Sequence, residues 1–195
     1  MTARLTAPAR REQLLDVALA VFAESGFHGT SMNDVADRAG VTKPVLYQHF
    51  ASKRELYQAL LDEVGARMAN AITVATSGAR DGKSQTEIGF RAYFRWVADD
   101  HDAFMLLYDS VSRRDEEFSN SLRLVTAGMV EAIAPLIAAD IDDEHRMTLA
   151  HALVGLAEGA SRRLVEHGLD FDPDEVARQI GDLAWAGLRG VRRGS

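Results

Sequence analysis

The sequence predicts an all-α chain of about nine helices, with a small N-terminal three-helix head in a helix-turn-helix arrangement and a larger C-terminal helical body. Three observations predict it. Apolar residues recur at helical spacing along almost the whole length, no segment shows the strict alternation of a half-buried strand, and cap residues recur where one periodic segment gives way to the next.

The first helix runs from Arg10, with Leu14, Leu15, Ala18, Val21 and Phe22 on one face, and Gly26 stops it. Ser31 precedes Met32-Asn33-Asp34 as a capping box with Asp in place of Glu, which opens a second helix over about 32–39. Gly40 supplies the positive φ of a helix end. Thr42 then caps a third helix over about 43–49, with Pro44 in its first turn, where no backbone donor is lost. Ser52-Lys53-Arg54-Glu55 is a full capping box for a fourth helix, which carries Leu56, Leu60, Val64 and Met68 on one face and runs past residue 70. The soft stretch 77–84 is expected to be a loop.

Beyond it the periodicity predicts helices over about 85–98, 101–110, 115–138, 142–166 and 173–191. Pro135 should kink or end the seventh. The eighth is apolar around more than one side between Met147 and Leu164, so more than one surface must cover it, and Gly155 and Gly159 allow a neighbouring helix close approach. The ninth begins at Pro173-Asp174-Glu175 and shows Val176, Ile180, Leu183, Ala184, Gly187, Leu188 and Val191 as a stripe that fits one buried face.

Composition limits the functional classes. With 195 residues, 47% of them hydrophobic, 26% charged and only four prolines, the chain can bury a full core. No segment approaches the ~18 uninterrupted apolar residues of a membrane helix, the first ten residues lack the apolar run of a secretion signal, and there is no cysteine for disulfides or thiolate metal sites. The expectation is a soluble cytoplasmic protein. The net charge of -7 is uneven: residues 1–60 hold seven Lys or Arg against six Asp or Glu, a net +1, and residues 61–195 hold fifteen against twenty-three, a net -8. A near-neutral head on an acidic body neither argues for nor excludes a nucleic-acid partner. There is no His-Glu-x-x-His, no paired Glu-x-x-His and no Gly-rich phosphate loop to indicate an enzyme. Asp142-Asp143-Glu144-His145 reads as a helix start, with acids complementing the dipole, rather than as a metal site.

The segment from 31 to 50 carries the function. Val35, Ala36, Val41 and Leu46 form a small core that leaves Lys43, Val45, Tyr47, Gln48 and His49 on the outer faces. A helix so braced fits the major groove of double-stranded DNA. Lys43 near the helix start suits a base edge or phosphate, Val45 a thymine methyl, and Tyr47 and His49 phosphate oxygens. Ser31 and Thr42 stand at helix N-termini, where free N–H groups favour a phosphate, and Lys53 is a further phosphate candidate. Arg4, Arg10 and Arg11 read as a short tail with helix-end charges rather than as a minor-groove arm.

From Arg11 to Met68 the chain resembles the DNA-binding domain of TetR-family transcriptional regulators. The residues that carry the resemblance are Phe22-x-x-x-Gly26-Phe27, Thr30-Ser31, Val35-Ala36, Ala39-Gly40-Val41, Leu46-Tyr47-x-x-Phe50 and Ser52-Lys53-x-x-Leu56. The resemblance implies a DNA-binding domain over 8–68, with its helix-turn-helix at about 31–50, and a ligand-binding and dimerisation domain over 69–195. It implies a homodimer on a palindromic operator, paired through the helices at about 142–166 and 173–191, commonly a repressor released by a small ligand. Lys43, Pro44, Val45, Tyr47, His49 and Lys53 fall where that family places its DNA contacts. No cofactor is implied. In the body, aromatic and sulfur side chains gather at Phe90, Tyr93, Phe94, Trp96, Phe104, Met105, Tyr108 and Met129, as either a plain core or the lining of an apolar ligand cavity. Tyr93, Trp96, Phe104, Tyr108 and Met129 are the candidate ligand contacts from that set. His151 is a further candidate, or else a core or interface histidine.

Overall fold

The computed structural model describes residues 5–108, 116–166 and 170–191, and among them every regular element is helical. Nine α-helices follow in order: α1 (Ala7–Gly29), α2 (Met32–Arg38), α3 (Lys43–His49), α4 (Lys53–Thr76), α5 (Gly82–Asp99), α6 (His101–Tyr108), α7 (Glu116–Ile133), α8 (Asp143–Glu166) and α9 (Pro173–Leu188). They divide into two compact units. One comprises the chain up to Val64 together with Asp102–Leu122, and the other comprises Gly65–His101 and the chain from Arg123 onward. The head is therefore not one continuous stretch: Phe118 of α7 packs on Phe27 and Tyr57, with ring centroids 4.9 and 4.8 Å away.

Local chemistry sets the boundaries. α1 starts before Arg10 because the Thr6 hydroxyl accepts from Ala9 N–H and Pro8 suits the first turn. Its regular path breaks at Gly26, φ 68°, before closing at Gly29. α2 has the expected box: the Ser31 hydroxyl accepts from Asp34 N–H at 3.2 Å and the Asp34 carboxylate accepts from Ser31 N–H at 2.7 Å. In α4 the Ser52 hydroxyl accepts from Glu55 N–H, while the Glu55 carboxylate reaches back to Ala51 N–H. α5 begins three residues before the expected start because Asp81, inside the supposed loop, caps Ser84 N–H at 2.8 Å. Pro135 ends α7 in a 3-10 turn, Ala134–Leu136. Asp142 caps α8 through His145 N–H, as expected of an acidic helix start, and Asp172 caps α9 through Asp174 and Glu175 N–H. The expected end of the sixth helix and start of the seventh, around 109–115, lie outside the described residues.

In the head, Leu14, Leu15, Ala18, Val35, Leu46, Leu56 and Leu61 are buried. In the body, α5 and α9 approach closely: Gly181 lies against Glu87 and Phe90, and Arg95 pairs with Asp174 through two bonds of 2.8 and 2.7 Å. α4 and α7 also nearly touch there, since a Cβ on Gly65 would come within 2.5 Å of Val125. The ninth helix departs from its predicted face. Its buried residues are Ala177, Gly181 and Ala184, a small-residue row against α5, whereas Leu183 stays 60% exposed and Val176 and Ile180 half-buried. Val176, Ile180 and Leu183 of the apolar stripe are thus left partly or largely open by the packing within this chain, whereas Leu188 of the same stripe lines a cavity in the body.

Candidate functional site

The turn between α2 and α3 is rigid by construction. Gly40 takes φ 65°, which only glycine adopts without strain, and the backbone closes the helix end with Gly40 N–H on Asp37 C=O and Val41 N–H on Ala36 C=O. With Leu46 and Phe50 buried, α3 has one inward face and shows Lys43, Pro44, Tyr47 and Gln48 outward, with Thr42 exposed at its cap. Val45 and His49 are half-buried at the edges of that surface. Lys43 Nζ lies over the Tyr47 ring, 5.9 Å from its centroid, so the cation and the phenol form one unit. Thr42 does not cap α3 with its side chain, so the hydroxyl is not spent on the helix start as expected.

Ser31 and Lys53 are engaged within the fold. The Ser31 hydroxyl and then its backbone N–H hold the Asp34 carboxyl below its usual range, with a smaller contribution from the Lys53 charge. Lys53 Nζ donates to Phe27 C=O and Thr30 C=O, each at 2.7 Å, and sits 4.5 Å from the Phe27 ring centroid. The sequence offered it as a phosphate contact, and within the fold two of its three donors already meet these carbonyls. Arg11 lies over the Phe50 ring, 5.0 Å away, and Arg38 of α2 pairs with Glu24 of α1 at 2.6 Å.

A cavity of about 350 Å3 lies in the body unit among α4, α5, α7, α8, α9 and the turn after α7. α5 lines it with Thr86, Gly89, Phe90 and Tyr93, α7 with Met129 and Ile133, α8 with Leu153, Val154 and Ala157. Of the sequence candidates, Tyr93 and Met129 meet there. Trp96, a turn beyond Tyr93, is half-buried and not in the lining. Phe104 is wholly buried in the head unit, because α6 packs there and not in the body. His151 is exposed and points elsewhere, since Leu153 lies roughly 200° away around α8. The side chain of Tyr108 lies outside the described residues. Sequence reasoning missed Trp185, Gln85 and Thr86, which also line the cavity. Trp185 falls off the large-residue stripe of α9, and the other two sit in the first turns of a helix whose start was misplaced. Among the described residues no His, Asp and Glu cluster is arranged to hold a metal, and no helix is long and apolar enough to cross a membrane.

A second concavity, about 430 Å3, opens between α8 and α9 and is lined by Gly155, Leu156, Gly159, Ala160, Val176 and Ile180 among others. A Cβ on Gly155 or Gly159 would meet nothing within 4 Å. Among the described residues, packing within this chain requires neither glycine.

Comparison with known proteins agrees with this geometry. Residues 14–60 match the model of bacterial regulatory proteins, tetR family, and residues 83–187 match a tetracyclin repressor-like C-terminal domain. The chain is similar to the HTH-type transcriptional activator FasR of Mycolicibacterium smegmatis, 30% identical over 190 residues covering 96% of this chain and 87% of that protein. It is also similar to the HTH-type transcriptional repressor KstR2 of Mycobacterium tuberculosis, 30% identical over 190 residues covering 95% and 82%. Its fold superposes on FadR of Bacillus subtilis, solved in complex with stearoyl-CoA, with a TM-score of 0.79 at 16% identity over 90% of this chain and 98% of that one. With both halves matched, the chain belongs to the TetR family and is a DNA-binding transcriptional regulator.

Proposed function

We propose that this protein is a cytoplasmic homodimeric repressor that binds a palindromic operator and is released by a small, largely apolar ligand. The observation that carries the DNA half is the outward row of α3, Thr42, Lys43, Pro44, Tyr47 and Gln48, held by the buried Leu46 behind a glycine turn. Val45 and His49 border that row, and Ser31 stands at the start of the bracing helix. The DNA-binding domain is assigned to 8–68, and 69–195 to ligand binding and dimerisation. The open face of α8 and α9, with two glycines that nothing covers and Leu183 in solvent, supports a twofold helix-pair interface with a second copy. Two heads would then address half-sites one helical turn apart.

The cavity supports the sensing half. Its walls are mostly apolar, with Gln85, Thr86, Asp140 and Arg189 as polar points for orientation. A protein of this fold holds stearoyl-CoA, so long-chain acyl thioesters head the panel of ligands to test. A regulator with no ligand is the alternative, and FasR is an activator, so the sign of regulation is tested separately. Selection of duplexes from a randomised pool should return an inverted repeat. A thermal-shift screen that includes stearoyl-CoA should find a stabilising ligand that lowers affinity for the selected duplex, and a reporter carrying that duplex should fall in the presence of the protein. Duplexes without a twofold, or a ligand that leaves DNA affinity unchanged, would refute the corresponding half.

A further inference from the structure

One wall of the body cavity is not α-helical. From the end of the 3-10 turn after α7 to the start of α8, Leu136, Ile137, Ala138, Ala139 and Asp140 line it in succession. The backbone bonds of this stretch are short-range: Ile137 N–H donates to Ala134 C=O, Ala139 N–H to Ile137 C=O and Ile141 N–H to Ala139 C=O. Bonds that span two or three residues make single turns and do not fix a longer path. The path is held from α8 instead. Arg146, the fourth residue of that helix, donates through Nη1 to Ile137 C=O and through Nη2 to Ala139 C=O at 3.3 Å and Ile141 C=O at 3.2 Å. Carbonyls of three alternate residues thus converge on one planar guanidinium, and Ile137 and Ile141 are buried beside it. A cation this close to a helix N-terminus opposes the macrodipole. Its carboxylate neighbour Asp143 is 4.0 Å away and fully exposed, so that pair contributes little. The three carbonyls are what the arginine serves.

We propose that Arg146 is a positioning residue for ligand binding: it clamps 137–141 into the wall that the cavity presents to an apolar ligand, without lining the cavity itself. This rests on the cavity being the sensing site. A wall already in place lets the ligand bind without ordering it, whereas a wall that is mostly open lowers the apparent affinity by the fraction still closed.

The test uses the full chain. Arg146→Met keeps an apolar stem and removes every donor. Hydrogen exchange read by mass spectrometry follows the peptide that contains 137–141, and calorimetry gives the affinity for two probes, stearoyl-CoA and dodecanoate, well below the melting temperature. Each hydrogen bond to a charged group corresponds to about ten-fold or more, so losing all three should leave the wall open most of the time. The 137–141 peptide should then exchange near the rate of unstructured chain, with α5 and α9 unchanged, and the affinity for any probe that wild type binds should fall by about ten-fold or more. Arg146→Lys keeps the charge but not the planar fork and should recover part of both losses. A merely stabilising arginine would lower the melting temperature and leave the affinity of the folded variant at the wild-type value, which overturns the proposal. Lost affinity with wild-type exchange across 137–141 overturns it as well. Should Arg146→Met not fold, Arg146→Lys stands in for it, and wild-type exchange and affinity there refute the clamp. If wild type binds neither probe, the sensing reading falls and this one with it, an outcome distinct from a loss confined to the Arg146 variants.

Discussion

Gly159→Leu separates the stability of one chain from that of the assembly by moving them in opposite directions. In the single chain a Cβ on Gly159 meets nothing within 4 Å, so a leucine there enters open space. Leucine is also the better helix former, by somewhat less than the about 0.8–1 kcal/mol that separates glycine from alanine, and nothing among the described residues of the subunit opposes the gain. For a chain of this size that corresponds to a melting temperature higher by roughly 2–4 °C at a concentration where the protein is monomeric. If a second copy covers α8, the same side chain is forced into a close helix contact. Overpacking costs about 1–3 kcal/mol at each site, and a twofold interface contains the site twice, so dimerisation should weaken by about 2–6 kcal/mol, roughly 30-fold to 10⁴-fold. Sedimentation equilibrium across a dilution series gives the dimer constant, and urea unfolding of the dilute variant gives the subunit term. A dimer as tight as wild type would show that this face is not the interface. A less stable monomer would show that the space beside Gly159 is filled in solution.

Three further outcomes follow from the head and from the caps. Tyr47→Ala should weaken binding to the selected duplex while leaving the dimer and thermal unfolding nearly unchanged, because Tyr47 is 42% exposed and lies outside the buried core; equal binding in fluorescence anisotropy removes it from the surface. Gly40→Ala meets no neighbour within 4 Å but must hold φ 65°, so urea denaturation should show a loss of about 1–2 kcal/mol of purely conformational origin. Acid should destabilise through the capping and paired carboxyls: Asp34 is held low by Ser31, Asp81 by Ser84, Asp174 by Arg95 and Glu175 by Arg178. A carboxyl lowered in the folded state contributes stability above its unfolded value near 4 and loses it as pH falls through the folded value, so the melting temperature should hold down to about pH 5 and drop toward pH 3. A flat profile over that range would contradict the caps.

The head was largely legible in the sequence because its signals are local. Ser31 with Asp34, Gly40 and Pro44 each set a backbone state within four residues, and the structure realises them where the spacing put them. Pro135 and Pro173 worked in the same way for the body. Long-range placement was the illegible part. Phe104 has the character of a cavity residue, but it belongs to a helix that packs in the head, and nothing within a few positions of it says so. His151 and Leu153 differ by two residues and roughly half a turn, so naming the helix did not name the face. The two carbonyls that Lys53 meets lie more than twenty residues earlier, which no local signal shows.

The charge on the head constrains how this protein can hold DNA. From α2 to the first turn of α4 the cations are Arg38, paired with Glu24; Lys53, bound to two carbonyls; Arg54, over the Phe27 and Phe118 rings; and Lys43. Lys43 alone of these is presented by α3. A head of net +1 with so few outward cations neutralises few phosphates, and the body, net -8, adds repulsion at low salt. In the proposed dimer, joining two weak heads would raise affinity over either head by about 10²–10⁴-fold without a new contact, provided that the geometry lets both engage. If α8 and α9 form the proposed dimer interface, that face is tied to DNA binding without touching DNA. Gly159→Leu, which alters no residue of the head, should lower affinity for an inverted repeat by about 10²–10⁴-fold at concentrations below its dimer constant and leave affinity for a single half-site unchanged.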